Sequence, residues 1–421
     1  MTFEPTLDFA RKLDAEDSLA RFRSQFHFPK APDGSDMLYF AGNSLGLQPK
    51  GVRKNIEQEL DDWAHFGVEG HFHAKHPWLP YHENLTEKTA RLVGAQPKEV
   101  VVMNTLTVNL HLMMVSFYRP TPTRYKILVE AGAFPSDQYA VASQARFHGI
   151  DPQRAIWELK PRPGEATIRP EDILETIERE GDSIALVLLG NVNYLTGQAF
   201  DVKAIAEAGH KKGCVVGFDL AHGAGNLLLK LHDWNVDFAV WCSYKYLNSG
   251  PGSLSGCFVH ERHARDKSLP RFSGWWGHNK TSRFQMPREF DPIEGAEGWQ
   301  LSNPPIFQLA ALRASMDLFD EATMPALRRK GDSLTAYLEF LLDRLPNGYC
   351  RIFTPRDPAQ RGSQLSFTIQ GDPRQLLKSL AARGVICDFR EPNVLRAAPA
   401  PLYNCFEDVY RLAEVLKEHA E

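Results

Sequence analysis

Between residues 96 and 310 the chain alternates two patterns: short runs of apolar and β-branched residues, and longer stretches whose apolar positions recur every three or four residues. The runs Lys126–Val129, Ile156–Leu159, Ile184–Leu189, Cys214–Asp219, Phe238–Ser243 and Leu254–Val259 predict strands. The stretches Thr107–Phe117, Glu171–Arg179 and Val202–His210 predict helices between them. Strands alternating with helices predict an α/β fold, with a mostly parallel sheet covered by helices on both faces. Residues 1–95 read as helical (Asn55–Trp63, Asn84–Leu92) around one tight segment, Gly42-Asn43-Ser44-Leu45-Gly46. A long amphipathic pattern over Ile306–Leu345 leads into a small α+β domain. Its predicted elements are strands Arg351–Thr354 and Gln364–Ile369, helix Arg374–Arg383, strand Val385–Phe389 and helix Asn404–Lys417. The expected division is 1–95, 96–310 and 311–421.

Composition narrows the partners. With 48 basic against 52 acidic residues the net charge is −4, so nothing recruits nucleic acid or an anionic membrane in bulk. The 43% apolar and 24% charged content over 421 residues is that of a soluble globular chain with room for two or three domains. The first residues have no basic stretch followed by an apolar one, and the longest apolar runs, such as Ile184–Leu189, are too short to span a bilayer. Six scattered cysteines (Cys214, Cys242, Cys257, Cys350, Cys387, Cys405) form no C-x-x-C pair, which removes zinc and dithiol redox motifs. These features predict a cytosolic protein with no metal site. The excess is aromatic and imidazole: 8 Trp, 25 Phe, 12 Tyr and 15 His, which both a packed core and a site for a flat ligand would use.

In an open α/β sheet a ligand sits beyond the carboxyl ends of the strands. The run Cys214–Asp219 ends in Asp219-Leu220-Ala221-His222, and Phe238–Ser243 ends in Ser243-Tyr244-Lys245. Lys245 follows apolar or small residues and precedes Tyr246-Leu247, which predicts a largely buried amine; burial favours the neutral form that attacks a carbonyl. Asp219 ends a buried strand, where an ionised carboxylate needs a cationic partner. Such a pair matches the needs of pyridoxal phosphate: a lysine to form the Schiff base and a carboxylate to keep the pyridine nitrogen protonated. The phosphate needs a helix start, which Asn104-Thr105-Leu106-Thr107 offers ahead of Val108–Phe117. The ring needs a flat face, which Phe134 offers in Ala133-Phe134-Pro135-Ser136-Asp137. Taken singly, each has an ordinary alternative: a surface Asp, a solvated Lys, an N-capping Thr, a Phe in a turn. Competing motifs are missing, since no predicted strand runs into a G-x-G-x-x-G or into a G-x-S-x-G elbow, and G-x-x-x-x-G-K-[ST] does not occur.

Seven segments together carry a resemblance: Tyr39–Pro49, Phe134–Asp137, Asp219–His222, Ser243–Asn248, Gly274–His278, Leu301–Pro305 and Leu395–Pro399. Through them nearly the whole chain resembles the kynureninase family of fold-type-I pyridoxal-phosphate enzymes. The Asp-x-Ala-His and Lys pair marks the wider superfamily, whereas GNSLG, GWWGH and SNPP single out this family. The resemblance implies a large, seven-stranded, mostly parallel sheet domain that binds the cofactor and a small C-terminal α+β domain. It also implies an N-terminal segment that contributes to the site and to a homodimer. The implied cofactor is pyridoxal 5'-phosphate. The implied reaction is hydrolysis of L-kynurenine or 3-hydroxy-L-kynurenine to L-alanine and anthranilate or 3-hydroxyanthranilate.

By position, the resemblance makes Lys245 the Schiff-base lysine and the base at the substrate's Cα, with Tyr244 as proton relay. Asp219 would pair with the pyridinium nitrogen, His222 would lie beside it and Phe134 would stack on the ring. Leu106, Thr107, Pro135, Ser136, Asp137, Tyr244, Trp275 and Asn303 would line the cofactor. Arg396 would fork onto the substrate's α-carboxylate. Ser44, His71 and Asn303 would surround its aryl and carbonyl end, and Trp275 and Asn303 would cross from the neighbouring subunit. One departure is Gly190, where the family commonly has a hydroxyl residue just after the strand Ile184–Leu189. His71 sits in a His-rich stretch (His65, His71, His73, His76) without recurring metal-ligand spacing. Two other readings stay open: a cysteine desulfurase, for whose mobile nucleophilic thiol Cys350 is the loosely suitable residue, and a catalytically silent relative.

Overall fold

The apolar runs form one sheet of seven strands: β1 (Val100–Met103), β2 (Lys126–Glu130), β3 (Ile156–Leu159), β4 (Ile184–Gly190), β5 (Val215–Asp219), β6 (Phe238–Cys242) and β7 (Ser255–Val259). The computed structural model describes residues 2–346 and 348–420. The strand order is β1-β7-β6-β5-β4-β2-β3. Pairing is parallel from β3 across to β6, and β7 runs antiparallel to both of its neighbours, β6 and β1. The mostly parallel sheet expected from the alternation is therefore present, and β1, which the pattern did not predict, closes one edge. Both faces are covered, so the strands read as continuous apolar runs rather than as an alternation with polar residues. Successive residues of β4 still part company: Val187 and Leu189 enter one core, Leu186 and Leu188 the other.

The small domain carries a four-stranded sheet of β8 (Cys350–Ile352), β9 (Leu365–Ile369), β10 (Asp388–Arg390) and β11 (Val394–Ala397), in the order β8-β9-β11-β10. The expected strand Val385–Phe389 is two pieces: Val385–Ile386 leaves the domain to pair in parallel with Leu38–Tyr39, and Asp388–Arg390 stays. The expected amphipathic stretch Ile306–Leu345 is likewise two helices, Ile306–Ala322 and Met324–Leu342. They part at Thr323, whose φ is 64°, because Pro325 cannot continue the hydrogen-bond ladder of a preceding helix. At the other end of the chain, helix Leu7–Ala15 lies along helix Phe406–Ala420, where the Asp14 carboxylate accepts the Phe406 and Glu407 amides at 2.6 and 2.9 Å. Among the described residues no helix is long and apolar enough to cross a membrane.

Candidate active site

Two strand ends and the turns after them build the site. β5 is apolar up to Asp219, whose side chain is buried and accepts the Ala221 amide at 2.6 Å. β6 runs into Ser243-Tyr244-Lys245, a turn held from three directions. The Gly46 amide donates to the Tyr244 carbonyl at 2.8 Å, the Asn248 amide to the Lys245 carbonyl at 3.1 Å, and Ser249 Oγ to Ser243 Oγ at 2.6 Å. Gly46 packs so tightly here that a Cβ would collide with the Lys245 carbonyl and with Asn248. The glycine that ends the segment Gly42–Gly46 is thus a steric condition for where Lys245 sits.

Lys245 is half-buried, where the flanking residues predicted a largely buried amine. Its Nζ lies 3.1 Å from His222 Nε2 and 5.6 Å from the centroid of the Phe134 ring. Burial of His222, and then the charges of Lys245, Arg396 and Arg390, hold the imidazole well below its usual titration range. A neutral ring accepts the Lys245 N–H at Nε2. Phe134 is 44% exposed and meets the Tyr194 ring edge-on at 5.3 Å. Helices Leu106–Phe117 and Pro135–Phe147 start side by side, with the Thr107 and Ser136 hydroxyls hydrogen-bonded at 2.7 Å. Two helix N-termini and two hydroxyls offer an anion seat.

Three carboxyl groups line the same cleft: Glu130 at the end of β2, Asp137 and Asp219. Burial pushes Glu130 up to about 8. Burial and the charge of Asp219 raise Asp137 well above the carboxylate range. Burial also raises Asp219, but the Ala221 amide and Lys245 oppose it, so Asp219 is the more readily ionised of the two and Asp137 the more readily protonated. At Gly190 a Cβ would stand 3.1 Å from Glu130 Oε1. The room that a side chain would take at this position is filled by the Glu130 carboxyl.

This donor set fits pyridoxal phosphate. An amine stands near an exposed aromatic ring, paired helix starts suit a phosphate, and a charged strand-end carboxylate suits a ring nitrogen. His222 Nδ1, Glu130 Oε2 and Asp137 Oδ1 are buried without a hydrogen-bond partner, as expected of groups arranged for a ligand. Lys245, Asp219 and the helix-start hydroxyls would hold the cofactor. Pro135 contributes the first residue of its helix, and Leu106 and Tyr244 complete the lining.

Arg396, on β11, is 1% exposed. Its Nη1 donates to the Tyr194 carbonyl at 2.6 Å and its Nη2 to Ser44 Oγ at 3.1 Å and to Asp388. Tyr194 thus joins the arginine to the Phe134 side of the cleft, and Ser44 sits directly on Arg396. His71, Trp275 and Asn303 are not brought to the Lys245 cleft of the same chain. His71 Nδ1 faces the Val68 carbonyl at 2.9 Å and its ring meets Trp78 edge-on. Trp275 is 41% exposed and donates to the Arg283 carbonyl at 3.1 Å. Asn303 is exposed and lines a separate depression with Thr105, Val108 and Ser302. Cys350 begins β8, outside the cleft lining, and burial pushes its thiol up to about 12, unlike the mobile thiolate of a desulfurase.

Four residues of this neighbourhood escaped the sequence reading: Glu130, Tyr194, Asp388 and Arg390. Glu130 was within reach, because it is the polar residue that terminates the run Lys126–Val129. Tyr194 acts through its backbone carbonyl, and Asp388 and Arg390 act through cross-strand register, which a linear pattern does not record.

Comparison with known proteins adds the family. A family model described as the kynureninase C-terminal domain matches residues 327–416. The chain is 69% identical over 418 residues to a kynureninase of Myxococcus xanthus, covering 99% of this chain and 98% of that one. It is 62% identical over 412 residues to a kynureninase of Koribacter versatilis, covering 98% and 97%. It is 52% identical over 431 aligned positions to one of Nematostella vectensis, covering 97% and 93%. Among solved structures it resembles a cysteine desulfurase of Thermococcus onnurineus, with a TM-score of 0.78 at 18% identity over 95% of this chain and 98% of that one. A cysteine desulfurase of Escherichia coli gives a TM-score of 0.76 at 20% identity over 100% and 99%. Those likenesses concern the fold, which is of type I among pyridoxal-phosphate enzymes. With more than half of all positions identical along nearly the full length of several relatives, the chain belongs to the kynureninase family.

Proposed function

We propose that this chain hydrolyses the Cβ–Cγ bond of L-kynurenine, and of 3-hydroxy-L-kynurenine, to give L-alanine and anthranilate or 3-hydroxyanthranilate, with pyridoxal 5'-phosphate as cofactor. The observation that carries this reading is 69% identity to a kynureninase over 99% of the chain. The cleft supplies groups suited to each task. Pyridoxal phosphate, when bound, supplies an electron sink for charge that develops at the substrate's Cα and Cβ.

Arg396 and Ser44 hold the substrate's α-carboxylate, and the Tyr194 carbonyl fixes the direction of the guanidinium. Lys245 Nζ takes the proton from Cα, and neutral His222 keeps that nitrogen oriented through its Nε2. Asp219 is buried, where its charge is screened less than it would be at the surface. Burial, and then Cys242, raise the Tyr244 hydroxyl above its ordinary value, so the phenol keeps its proton until it relays it to Cβ as the bond to Cγ breaks. The water that is consumed adds its oxygen to Cγ, which leaves as the carboxylate of the aromatic product.

The same reading includes a homodimer, in which Trp275 and Asn303, with His71 at the aryl end, complete the site of the neighbouring subunit. Exposed Trp63, Val68, Phe72, Phe284 and Met286 support it, since so much apolar surface calls for a cover. The reading assigns residues 96–310 to cofactor binding and 311–421 to the linking helix and small domain, with 1–95 serving the site and the dimer. It places the protein in the cytosol, supported by six cysteines that are all free. The polar His71 and Asn303 suit a hydroxylated ring, so both substrates are accepted; kcat/KM for each measures the preference. The test of the whole is Lys245→Ala, which abolishes turnover of kynurenine and the cofactor absorbance above about 400 nm that a lysine-bound cofactor gives. A variant that retains both sinks the proposal.

A further inference from the structure

Arg396 shares its carboxylate. Asp388 stands directly opposite Arg396 on the antiparallel strands β10 and β11, and Arg390 follows two residues along β10, on the same face as Asp388. Asp388 Oδ2 accepts from Arg396, from the Ser44 hydroxyl and from Arg390 Nη2, the last at 3.2 Å. Ser44 Oγ in turn accepts from both guanidinium groups, at 3.1 Å from Arg396 and 3.2 Å from Arg390. Two guanidinium groups therefore divide one carboxylate and one hydroxyl. The Nε–H of Arg396 and the Nε–H of Arg390 are both buried without a partner. Buried N–H donors of charged groups are costly to leave unmade, so the cluster is one carboxylate short.

The vacant donor lies on the edge that matters. A guanidinium binds a carboxylate in two parallel bonds through neighbouring N–H groups. On Arg396 the Nη1 is committed to the Tyr194 carbonyl, the Nη2 is shared between Ser44 Oγ and one oxygen of Asp388, and the Nε beside it has no partner. We propose that Asp388 is a placeholder for the substrate's α-carboxylate: it holds Arg396 in the free enzyme and passes to Arg390 when a substrate carboxylate takes the Nε/Nη2 edge. After the exchange each guanidinium faces one carboxylate and the charges balance. Asp388 and Arg390 are positioning residues in this scheme, acting on the substrate through Arg396. The inference rests on the proposed function for the identity of the ligand, and it extends to any amino acid that carries an α-carboxylate.

The test uses holoenzyme and two probes, L-alanine and ethylamine, the second being alanine without its carboxylate. Binding is read from the change in cofactor absorbance, independently of turnover. Asp388→Asn removes the competitor and tightens L-alanine about tenfold while ethylamine stays unchanged. Arg390→Met strands Asp388 on Arg396 and weakens L-alanine about tenfold, and Arg390→Lys, which keeps the charge, recovers most of the loss. KM for kynurenine moves in the same directions, by a larger factor than kcat. Weaker or unchanged L-alanine binding in Asp388→Asn overturns the exchange and makes Asp388 a fixed orienter of Arg396. Unchanged binding in Arg390→Met overturns it as well, and that half-exposed side chain keeps the test available if Asp388→Asn does not fold. A wild-type enzyme that binds L-alanine but does not cleave kynurenine sinks the proposed function and leaves the exchange standing.

Discussion

Glu130 shows what burial does to one carboxyl. Folded, burial raises it to about 8; unfolded, it titrates as an ordinary Glu. Between those two values the folded chain binds the extra proton, so stability falls as pH rises, by up to about 1.4 kcal/mol per unit, and the loss is complete above the folded value. Glu130→Gln, neutral throughout, therefore leaves the cofactor-free protein close to wild type at pH about 5 and makes it more stable at pH about 8. Thermal unfolding at the two values measures this; an equal shift at both would assign the effect to packing. Asp219 behaves oppositely in function, because its charge is the useful state. Asp219→Asn retains the shape and lowers kcat/KM for kynurenine at least about a hundredfold, the scale for removing one preorganised electrostatic partner. Asp219 and Lys245 were legible as candidates because they stand at the ends of apolar runs, and Phe134 because it offers an aromatic face shortly after one. Arg396 was legible through its resemblance alone, since an arginine on a short strand looks like any other.

Elements hold these residues where they act. The turn that carries Lys245 is braced by Gly46, some two hundred positions earlier in the chain, and a side chain there meets backbone that cannot retreat. Gly46→Ala costs about 2–3 kcal/mol and displaces Lys245, which a lowered Tm together with lost cofactor absorbance would register. A second brace lies at the opposite end of the sheet, where β6 begins. Asp237 accepts His210 Nε2 and His263 Nε2, both at 2.8 Å, the Val216 amide at 2.7 Å, and Arg262. Burial by itself would raise this carboxyl, but the hydrogen bonds of the two histidines and the charge of Arg262 outweigh it and hold it well below the usual range. A depressed carboxyl stabilises above its unfolded pKa and loses that contribution as the solution is acidified. Asp237→Asn thus destabilises the protein by about 3–5 kcal/mol at neutral pH and by less near pH 3, measured by denaturant unfolding. Neither brace was visible in the periodicity, which reports which face of an element is apolar and nothing about what reaches it from afar.

The whole molecule leaves His71, Trp275 and Asn303 away from the Lys245 cleft, and the proposed dimer gives them a use. Mixing two inactive homodimers, Lys245→Ala and Trp275→Ala, produces hybrids in which one site has both residues intact. Recovery of part of the wild-type activity checks the shared site, and a mixture as inactive as its parents would place Trp275 in the site of its own chain. The sequence by itself determined the α/β class, the parallel run of strands and the two strand ends that meet, because apolar periodicity is local and a parallel sheet puts its chemistry at carboxyl ends. Its motifs also carried the family. Tertiary structure decided the rest: β1 at the edge, the division of Ile306–Leu345 at Thr323, the Glu130 carboxyl beside Gly190, and the carboxylate that Arg390 and Arg396 share. Each of these depends on register or on contacts between residues distant in the chain, and those are fixed when the cores close, not by any local pattern.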